Sequence, residues 1–441
     1  MSTDSPDIQK WCLDNFRSFE QALNGQANSS MHELRKDALQ RFSEVGFPTP
    51  REEAWKYTNI TPVVKEGFAL AKADAHVPGR SEIDRFTIAG LSGCALVFVN
   101  GLLVKELSTW AELPAGVVVE NLAAAMQSDR ENLIEQHLAK YAGIAEHAFA
   151  AYNTAFVKDG ALIRVARDTR VVAPIQLIFI TTEGAGRVAV HPRVLVIAEE
   201  QSEVSLTETY VSLDNTEAFT SAVTEVVLAE GAAVDHYRFQ LENKNSYHVS
   251  GIYAQQARNS RFRTFSFNFG GRLVRNEVSP VLNGTGAECQ LDGISVLNGE
   301  QHCDNYTVID HAEPHCESNE HYKGIYNGKS RGVFCGTIIV RPDAQKTNAI
   351  QNNQSVLLSD QASVDSKPQL KIWADDVKCT HGATVGQLDE QAMFYLRSRG
   401  IDCESARNML IEGFASEVIK EVRPGPVREY LRELFLNRIR S

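Results

Sequence analysis

The tripeptide "SEV" at residues 202–204 begins a pattern that decides the fold: a small or polar pair followed by an apolar residue. The pattern recurs as "AAV" at 232–234, "SRF" at 260–262, "AEC" at 287–289, "RGV" at 331–333 and "ASV" at 362–364. The apolar positions are 30, 28, 27, 44 and 31 residues apart. Four similar intervals are typical of a solenoid of stacked β coils, because each coil buries its inward face only against its neighbours.

The region that contains this repeat is rich in strand signals. Between residues 161 and 374, short runs of β-branched and aromatic residues alternate with polar ones. Glycine dipeptides interrupt these runs at 270–271, 283–284, 298–299 and 327–328. A β-sandwich would also have many short strands, but its turns have no reason to repeat at this length. The pattern therefore favours the solenoid, with an insertion or an extra half coil in the 44-residue interval.

Helical patterns flank the strand-rich region on both sides. The N-terminal part is mainly helical and includes one short strand pair in "CALVFVNGLLV" at 94–104. At the other end, "DEQAMFYLRSRG" at 389–400 has acidic residues in its first turn and a glycine past its end, as helices do. The next helix is expected to bury a stripe of Ala406, Met409, Leu410, Phe414 and Val418. We predict a mainly β protein with an N-terminal helical domain at 1–155, a solenoid core at 156–384 and a C-terminal helical domain at 385–441.

Composition narrows the class of protein. The 441 residues are 43% hydrophobic and 23% charged, enough for a large core, and the net charge is -12. An acidic chain argues against nucleic acid or an anionic membrane as the main partner. No apolar run is long enough for a membrane span, and residues 1–7 lack the features of a secretory signal. We therefore expect a cytoplasmic protein whose eight scattered cysteines are reduced.

No motif of a self-sufficient enzyme is present in the sequence. "GIYNGKS" at 324–330 resembles a phosphate loop, but only three residues separate its glycines and its surroundings predict strands. A hairpin turn at Asn327 and Gly328 explains it better. The sequence also lacks the GxSxG, HExxH and GxGxxG motifs.

One stretch is dense in metal-ligand side chains. It contains His302, Cys303, His311, His315, Cys316 and His321. The spacings match no closed zinc pattern. In strands, about half of these side chains would point inward, where histidine usually only satisfies hydrogen bonds.

A second candidate is "KCTHGATVG" at 378–386. If "IWADDVKCTH" at 372–381 is one strand, as its alternation predicts, Cys379 and His381 share a face and form half of a metal site. A Cys/His catalytic pair would need an orienting group and an oxyanion hole, neither of which the sequence identifies. An iron or iron–sulfur site fits the two ligand types better. The alternative of two bystander side chains in a glycine-rich turn stays open on the residues alone.

Three long motifs closely resemble the SufB/SufD family of iron–sulfur cluster assembly proteins. They are "PREEAWKYT" at 50–58, "GVFCGTIIVRPDAQKTNAIQNNQSVLLSD" at 332–360 and "SKPQLKIWADDVKCTHGATVGQLDEQAMFYLRSRGI" at 366–401. The likeness spans nearly the whole chain. Gly382 follows His381 where SufB usually has an acidic residue, which favours the SufD branch. The resemblance implies a right-handed parallel β-helix core with helical domains at both ends.

The same resemblance implies a function. The chain would be a non-ATPase scaffold subunit that pairs with SufB through the β-helix and binds the ATPase SufC through its C-terminal helices. His381, with Cys379 as a less supported neighbour, would contribute to a cluster-assembly site at the SufB/SufD interface. The cluster would be transient, with no cofactor bound stably by this chain alone. The residues expected to contact SufC, or to support that contact, are Phe394, Met409, Leu410 and Phe414.

Other interpretations stay in competition with this one. The chain could be a structural or regulatory subunit that aids complex stability or iron entry, with His381 only packing at the interface. A homodimer is also compatible with the resemblance. A stand-alone metal or thiol enzyme is the weakest alternative, because the sequence supplies no complete catalytic set.

Overall fold

The computed structural model describes residues 8–21, 23, 29–71, 77–128, 130–182, 186–213 and 215–440. Residues 1–7, on which the expectation of no secretory signal rests, lie outside these ranges. Among the described residues, no helix has the length and apolar character that crossing a membrane requires. The eight cysteines are all free thiols in the structure.

The N-terminal part is mainly helical. Its helices are α1 (Ile8–Gln21), α2 (Ser30–Val45), α3 (Thr61–Glu66), α4 (Arg80–Ile83), α5 (Leu122–Ala125), α6 (Glu131–His137) and α7 (Ala148–Phe156), with 3₁₀ turns at Glu53–Trp55 and Asp84–Phe86. Its strands are β1 (Ala69–Leu70), β2 (Ala95–Val99), β3 (Leu102–Leu103) and β4 (Val117–Asn121). β2 and β3 form the predicted antiparallel hairpin, with Asn100 and Gly101 at positive φ in the turn.

Two parallel sheets form the centre of the molecule. The first contains β5 (Gly160–Val165), β8 (Arg193–Ala198), β10 (Ala218–Leu228), β12 (Tyr247–Gln256), β14 (Leu273–Leu282), β16 (His302–His311), β18 (Arg331–Val340) and β20 (Ser363–Ile372), and β7 (Val188–Val190) joins its side. The second contains β6 (Ile175–Thr181), β9 (Glu203–Ser212), β11 (Ala233–Gln240), β13 (Arg261–Asn268), β15 (Glu288–Leu297), β17 (Glu317–Tyr326), β19 (Asn348–Leu357) and β21 (Lys378–Gly386). From β8 onward, successive strands alternate between the sheets, which makes a β-solenoid of about seven turns and confirms the predicted class over the sandwich.

The strand register explains the first four members of the sequence repeat. Val204, Val234, Phe262 and Cys289 are consecutive partners in one inward-facing column of the second sheet. The next partner in that column is Ser318. Because serine is polar, the apolar repeat in the sequence does not show this coil. "RGV" and "ASV" lie in the first sheet, in β18 and β20, but they are one residue out of register, because Val333 pairs with Asp365 and Val364 pairs with Gly332. The 44-residue interval thus contains an extra half coil, which was one of the two predicted explanations.

The glycine dipeptides lie at the corners of the coils. Asn327 and Gly328 connect β17 of the second sheet to β18 of the first, and Gly328 has φ of 67°. The predicted hairpin at this position is therefore wrong, because the flanking strands lie in different sheets and do not pair with each other. The same turn chemistry serves a hairpin and a solenoid corner, and only long-range pairing distinguishes them.

Tyrosine rings occupy space in the solenoid interior that glycines leave free. A Cβ added at Gly332 would lie 2.2 Å from Cζ of Tyr326, and one added at Gly324 would lie 2.3 Å from Cε2 of the same ring. Tyr326 is buried, and Cζ and the hydroxyl oxygen of its side chain lie within 2.4 Å of both added Cβ positions. Glycine is therefore required at both strand positions by packing.

Gly332→Ala is expected to destabilise the fold by about 1–3 kcal/mol through overpacking against Tyr326. Thermal unfolding of the full chain measures the effect. Gly386→Ala in β21 is the matched control, since nothing lies within 4 Å of its added Cβ. Equal midpoints for the two variants would contradict the packing argument.

The C-terminal helices are α8 (Glu390–Ser398), α9 (Cys403–Glu421) and α10 (Gly425–Arg440). α9 and α10 pack on the outer face of the second sheet. The buried residues of α9 are Ala406, Ile411, Ala415, Val418 and Ile419. The predicted buried stripe is thus only partly correct, because Met409 is exposed and Leu410 and Phe414 are half-buried. Both faces of this helix are apolar, so its sequence alone does not decide which of them meets the sheet.

A buried ion pair attaches the N-terminal part to the first sheet. Arg275 of β14 and Asp304 of β16 are each 1% exposed, and Nη1 lies 2.5 Å from Oδ2. Thr58 donates its hydroxyl to the same carboxylate at 2.5 Å. The guanidinium also lies over the Trp55 ring, 4.1 Å from its centroid. The "PREEAWKYT" motif therefore holds the N-terminal part to the solenoid through its tryptophan and threonine.

Candidate functional site

The solenoid ends with an open coil made of β20 and β21. Each of these strands pairs with one neighbour, β18 or β19, and has no pairing on its other edge among the described residues. Most side chains of both strands are exposed or half-buried. Three large apolar side chains at this end are exposed: Ile372, Trp373 and Val385. An unpaired strand edge with exposed apolar residues is a surface on which another chain can pair.

The strand predicted over residues 372–381 is interrupted in the structure. β20 ends at Ile372, and a corner precedes the start of β21 at Lys378. The predicted strand was therefore too long, because its alternating apolar and polar residues belong to two strands in different sheets. Cys379 and His381 nonetheless belong to the same strand, two residues apart.

Cys379 ends the inward column that contains the sequence repeat. Its register partner is Ala349, which in turn pairs with Ser318. The thiol side chain is half-buried and packs against the small apolar cluster that includes Ile338 and Val340. This burial raises the pKa of the Cys379 thiol, so its protonated form is favoured until a cation or a basic group approaches.

His381 ends the neighbouring inward column. Its register partner is Gln351, whose own partner one coil deeper is Glu320. Gln351 donates from Nε2 to Glu320 Oε2 at 2.6 Å, and both side chains are fully buried. Burial raises the pKa of Glu320 to about 7. The His381 ring itself is exposed at the mouth of the solenoid, above these two polar side chains.

The structure thus places a thiol and an imidazole on the inward side of the terminal strand. No group of three or more His, Cys, Asp or Glu side chains that could hold a metal occurs among the described residues. A thiolate and an imidazole suit iron or zinc, but two ligands leave a tetrahedral site half filled. A metal or cluster at this place would need its other ligands from outside the chain.

The dense stretch from His302 to His321 is dispersed by the fold. His302 lies on the outer face of β16 and contacts Thr58, whereas His311 points inward to Ser318 at 2.9 Å. Burial lowers the pKa of His311 to about 4, which keeps that imidazole neutral. His321 lies on the outer face of the second sheet, beneath α9. These histidines serve three different environments and do not converge.

The four residues predicted to contact or support a partner differ in exposure. Phe394 is 74% exposed on α8, and Met409 is 50% exposed on α9. Leu410 and Phe414 are half-buried. The sequence prediction missed Tyr395, which is 56% exposed beside Phe394. Its signal was weak, because an aromatic residue inside an amphipathic helix is usually buried.

Lys323 is a second residue that the sequence prediction missed. It lies on the outer face of β17 and bonds to α9, where it holds the backbone of Phe414. The sequence around Lys323 does not predict this contact, because the contact depends on a helix about 90 residues away.

Comparison with known protein families agrees with this architecture. Residues 179–414 match the sequence model described as "SUF system FeS cluster assembly, SufBD core domain", and residues 7–177 match "SufBD protein N-terminal region". A SufBD family iron–sulfur cluster assembly protein of Synechocystis is 31% identical, covering 94% of this chain and 92% of that protein.

Two relatives have the name SufD. The iron–sulfur cluster assembly protein SufD of Escherichia coli is 32% identical over 91% of this chain and 90% of its own length. SufD of Bacillus subtilis is 26% identical over 92% of this chain and 93% of its own length. The family models cover nearly the whole chain, and the relatives extend over both its solenoid and its helical parts. The chain therefore belongs to the SufBD family of iron–sulfur cluster assembly proteins.

Proposed function

We propose that this chain is a scaffold subunit of a SUF complex, pairing with SufB through the open end of the solenoid and binding the ATPase SufC through α8 and α9. The observation that supports it most is the open final coil, where β20 and β21 each have one edge that no described strand pairs with. Membership of the SufBD family supplies the class of partner. A second solenoid of similar cross-section can continue both sheets, or pack against the exposed Ile372, Trp373 and Val385.

The cluster-assembly site of the proposal lies at this boundary. His381, and with less support Cys379, would supply ligands from one side, while SufB would supply the others. The iron–sulfur cluster is the cargo of this site, and it would be built and then released. A half set of ligands suits release, because separation of the two subunits removes the remaining bonds.

The ATPase contact of the proposal uses the outer surface of the helices. Phe394 and Met409 would be the principal anchors, since both are large, apolar and exposed. Leu410 and Phe414 would support them from the half-buried side of α9. Catalysis of ATP hydrolysis would belong to the partner, and this chain would act without an activity of its own. We place the complex in the cytoplasm.

The proposal is tested first by co-purification. The tagged chain, co-expressed with SufB and SufC of the same system, is expected to retain both. Phe394→Ala and Met409→Ala are each expected to weaken SufC binding by about tenfold, as loss of an interface anchor does. Val172→Ala is the matched control, because Val172 is exposed in the connection that precedes β6, at the opposite end of the solenoid. Absence of both partners from the wild-type preparation would refute the proposal.

A purely structural or regulatory subunit is the competing function. Glu320 and Gln351 favour the cluster site over this alternative, because they place a buried polar pair in the column that His381 ends. A stand-alone enzyme would require activity from the purified single chain.

A further inference from the structure

Lys323 is a buried lysine in the contact between the solenoid and α9. It lies on the outer face of β17, and its side chain is 2% exposed. An ammonium group removed from water is costly unless it is paired and hydrogen-bonded. The groups that Lys323 contacts therefore indicate its structural role.

Lys323 directs its ammonium group entirely to α9. Nζ donates to the backbone carbonyl of Phe414 at 2.8 Å and to Glu417 Oε2 at 2.6 Å. It also lies 4.4 Å from the centroid of the Phe414 ring, at the distance of a cation–π interaction. Three contacts from one group fix both the rotation of α9 and its position along its axis.

The rest of this interface is mainly apolar. The side chains from the sheet include Ile294, Val296 and Ile325, and those from α9 include Ile411, Ala415 and Val418. Such contacts stabilise the packing but have no direction, so they tolerate small shifts of a helix. The hydrogen bonds of Lys323 supply the direction that the apolar contacts lack.

The polar contacts continue from α9 toward the open end of the solenoid. Glu417 lies 4.0 Å from Nε2 of His321, and this nitrogen is 3.3 Å from Oε1 of Gln354 on β19. Gln354 is the register partner of Thr384 on β21. The strand that contains His381 is therefore one strand pairing away from a residue in contact with the α9 cluster.

We propose that Lys323 is a positioning residue that locks α9 to the end of the solenoid, so that movement of the exposed helices is passed to β21. This consequence rests on the proposed function: SufC binding at Phe394 and Met409 changes the terminal strand β21 only while the contacts between Lys323 and α9 are intact. Lys323, Glu417 and His321 form the lock, and Gln354 connects it to the last strand pair.

The test compares Lys323→Met with wild type by amide hydrogen exchange in the full chain. Methionine keeps most of the buried stem and removes the charge, and Lys329→Met is the control because Lys329 is 60% exposed at a corner of the solenoid. In the free chain, exchange in α9 is expected to accelerate by about tenfold or more in Lys323→Met, with β8 and β10 unchanged. Unaltered exchange in α9 would overturn the lock irrespective of any partner.

The second measurement adds SufC and ATP to the chain in complex with SufB. Wild type is expected to show a change in amide protection at β21, and Lys323→Met is expected to lose it while SufC affinity stays within about threefold. A wild-type response retained in the variant would make Lys323 merely structural and would overturn the proposal, as would absence of any response at β21 in wild type. Failure of wild type to bind SufC would instead refute the proposed function.

Glu417→Gln tests the same proposal if Lys323→Met fails to fold. Glu417 is 63% exposed, so its replacement disturbs packing little. It is expected to reduce the β21 response in the same direction as Lys323→Met, because it weakens one of the three contacts. A full wild-type response in Glu417→Gln, with Lys323→Met unfolded, would also overturn the proposal.

Discussion

His381→Ala is expected to lower the amount of iron–sulfur cluster formed per assembled complex by about tenfold or more. The alanine removes one of the two ligands that the proposed site would take from this chain, and the raised pKa of the remaining Cys379 thiol disfavours the thiolate that would bind metal. The ring is exposed, so the substitution should change stability by less than about 0.5 kcal/mol. Cluster absorbance after anaerobic assembly, divided by the amount of intact complex, measures the effect.

Thr380→Ala is the matched control for this experiment. Thr380 is exposed on the same strand, but it pairs with Ile350 in the outward-facing column. Cluster yield in this variant should equal that of wild type. If the complex of His381→Ala assembles normally and forms as much cluster as wild type, His381 only packs at the interface, and the structural alternative is preferred.

Asp304→Ala is expected to cost about 3–5 kcal/mol of stability, the largest effect that we predict for a single side chain. The substitution leaves the Arg275 guanidinium at 1% exposure without its carboxylate, and it also removes the acceptor of the Thr58 hydroxyl. Both losses loosen the attachment of the N-terminal part. Thermal or denaturant unfolding of the full chain, followed by tryptophan fluorescence, would report it because Trp55 lies against Arg275.

Asp310→Ala provides the comparison on the same strand. Asp310 pairs with Arg341, whose side chain is 51% exposed, and a pair in contact with solvent contributes less than about 1 kcal/mol. A loss in Asp304→Ala no larger than that in Asp310→Ala would show that the buried pair is not what holds the N-terminal part in place.

The solenoid was predictable because its repeat is encoded locally. Val204, Val234 and Phe262 repeat at similar intervals because each must fill the same inward position of successive coils. Ser318 fills that position in the coil that the pattern skipped, since a hydroxyl is tolerated there at 4% exposure. The limits of 155 and 384 for the predicted domains stay predictions.

The turns and the helix faces were less predictable. An Asn-Gly pair such as Asn327 and Gly328 specifies positive φ, which hairpins and solenoid corners both use. On α9, apolar residues occupy more than one face, so Ile411 and Ala415 could be assigned to the sheet only after the sheet was in place. Secondary-structure propensity acts over a few residues, whereas the type of turn and the buried face of a helix depend on partners far along the chain.

The sequence by itself determined the class of fold, the family and the shared strand of Cys379 and His381, because repeats, long motifs and two-residue spacing are local properties. Only the tertiary structure decided that this strand is the last of its sheet and that His381 stands above the buried pair of Gln351 and Glu320. It alone also brought Lys323 to α9. These contacts and pairings join residues 30 to 94 positions apart. They arise from parallel stacking and burial, which no local sequence pattern encodes.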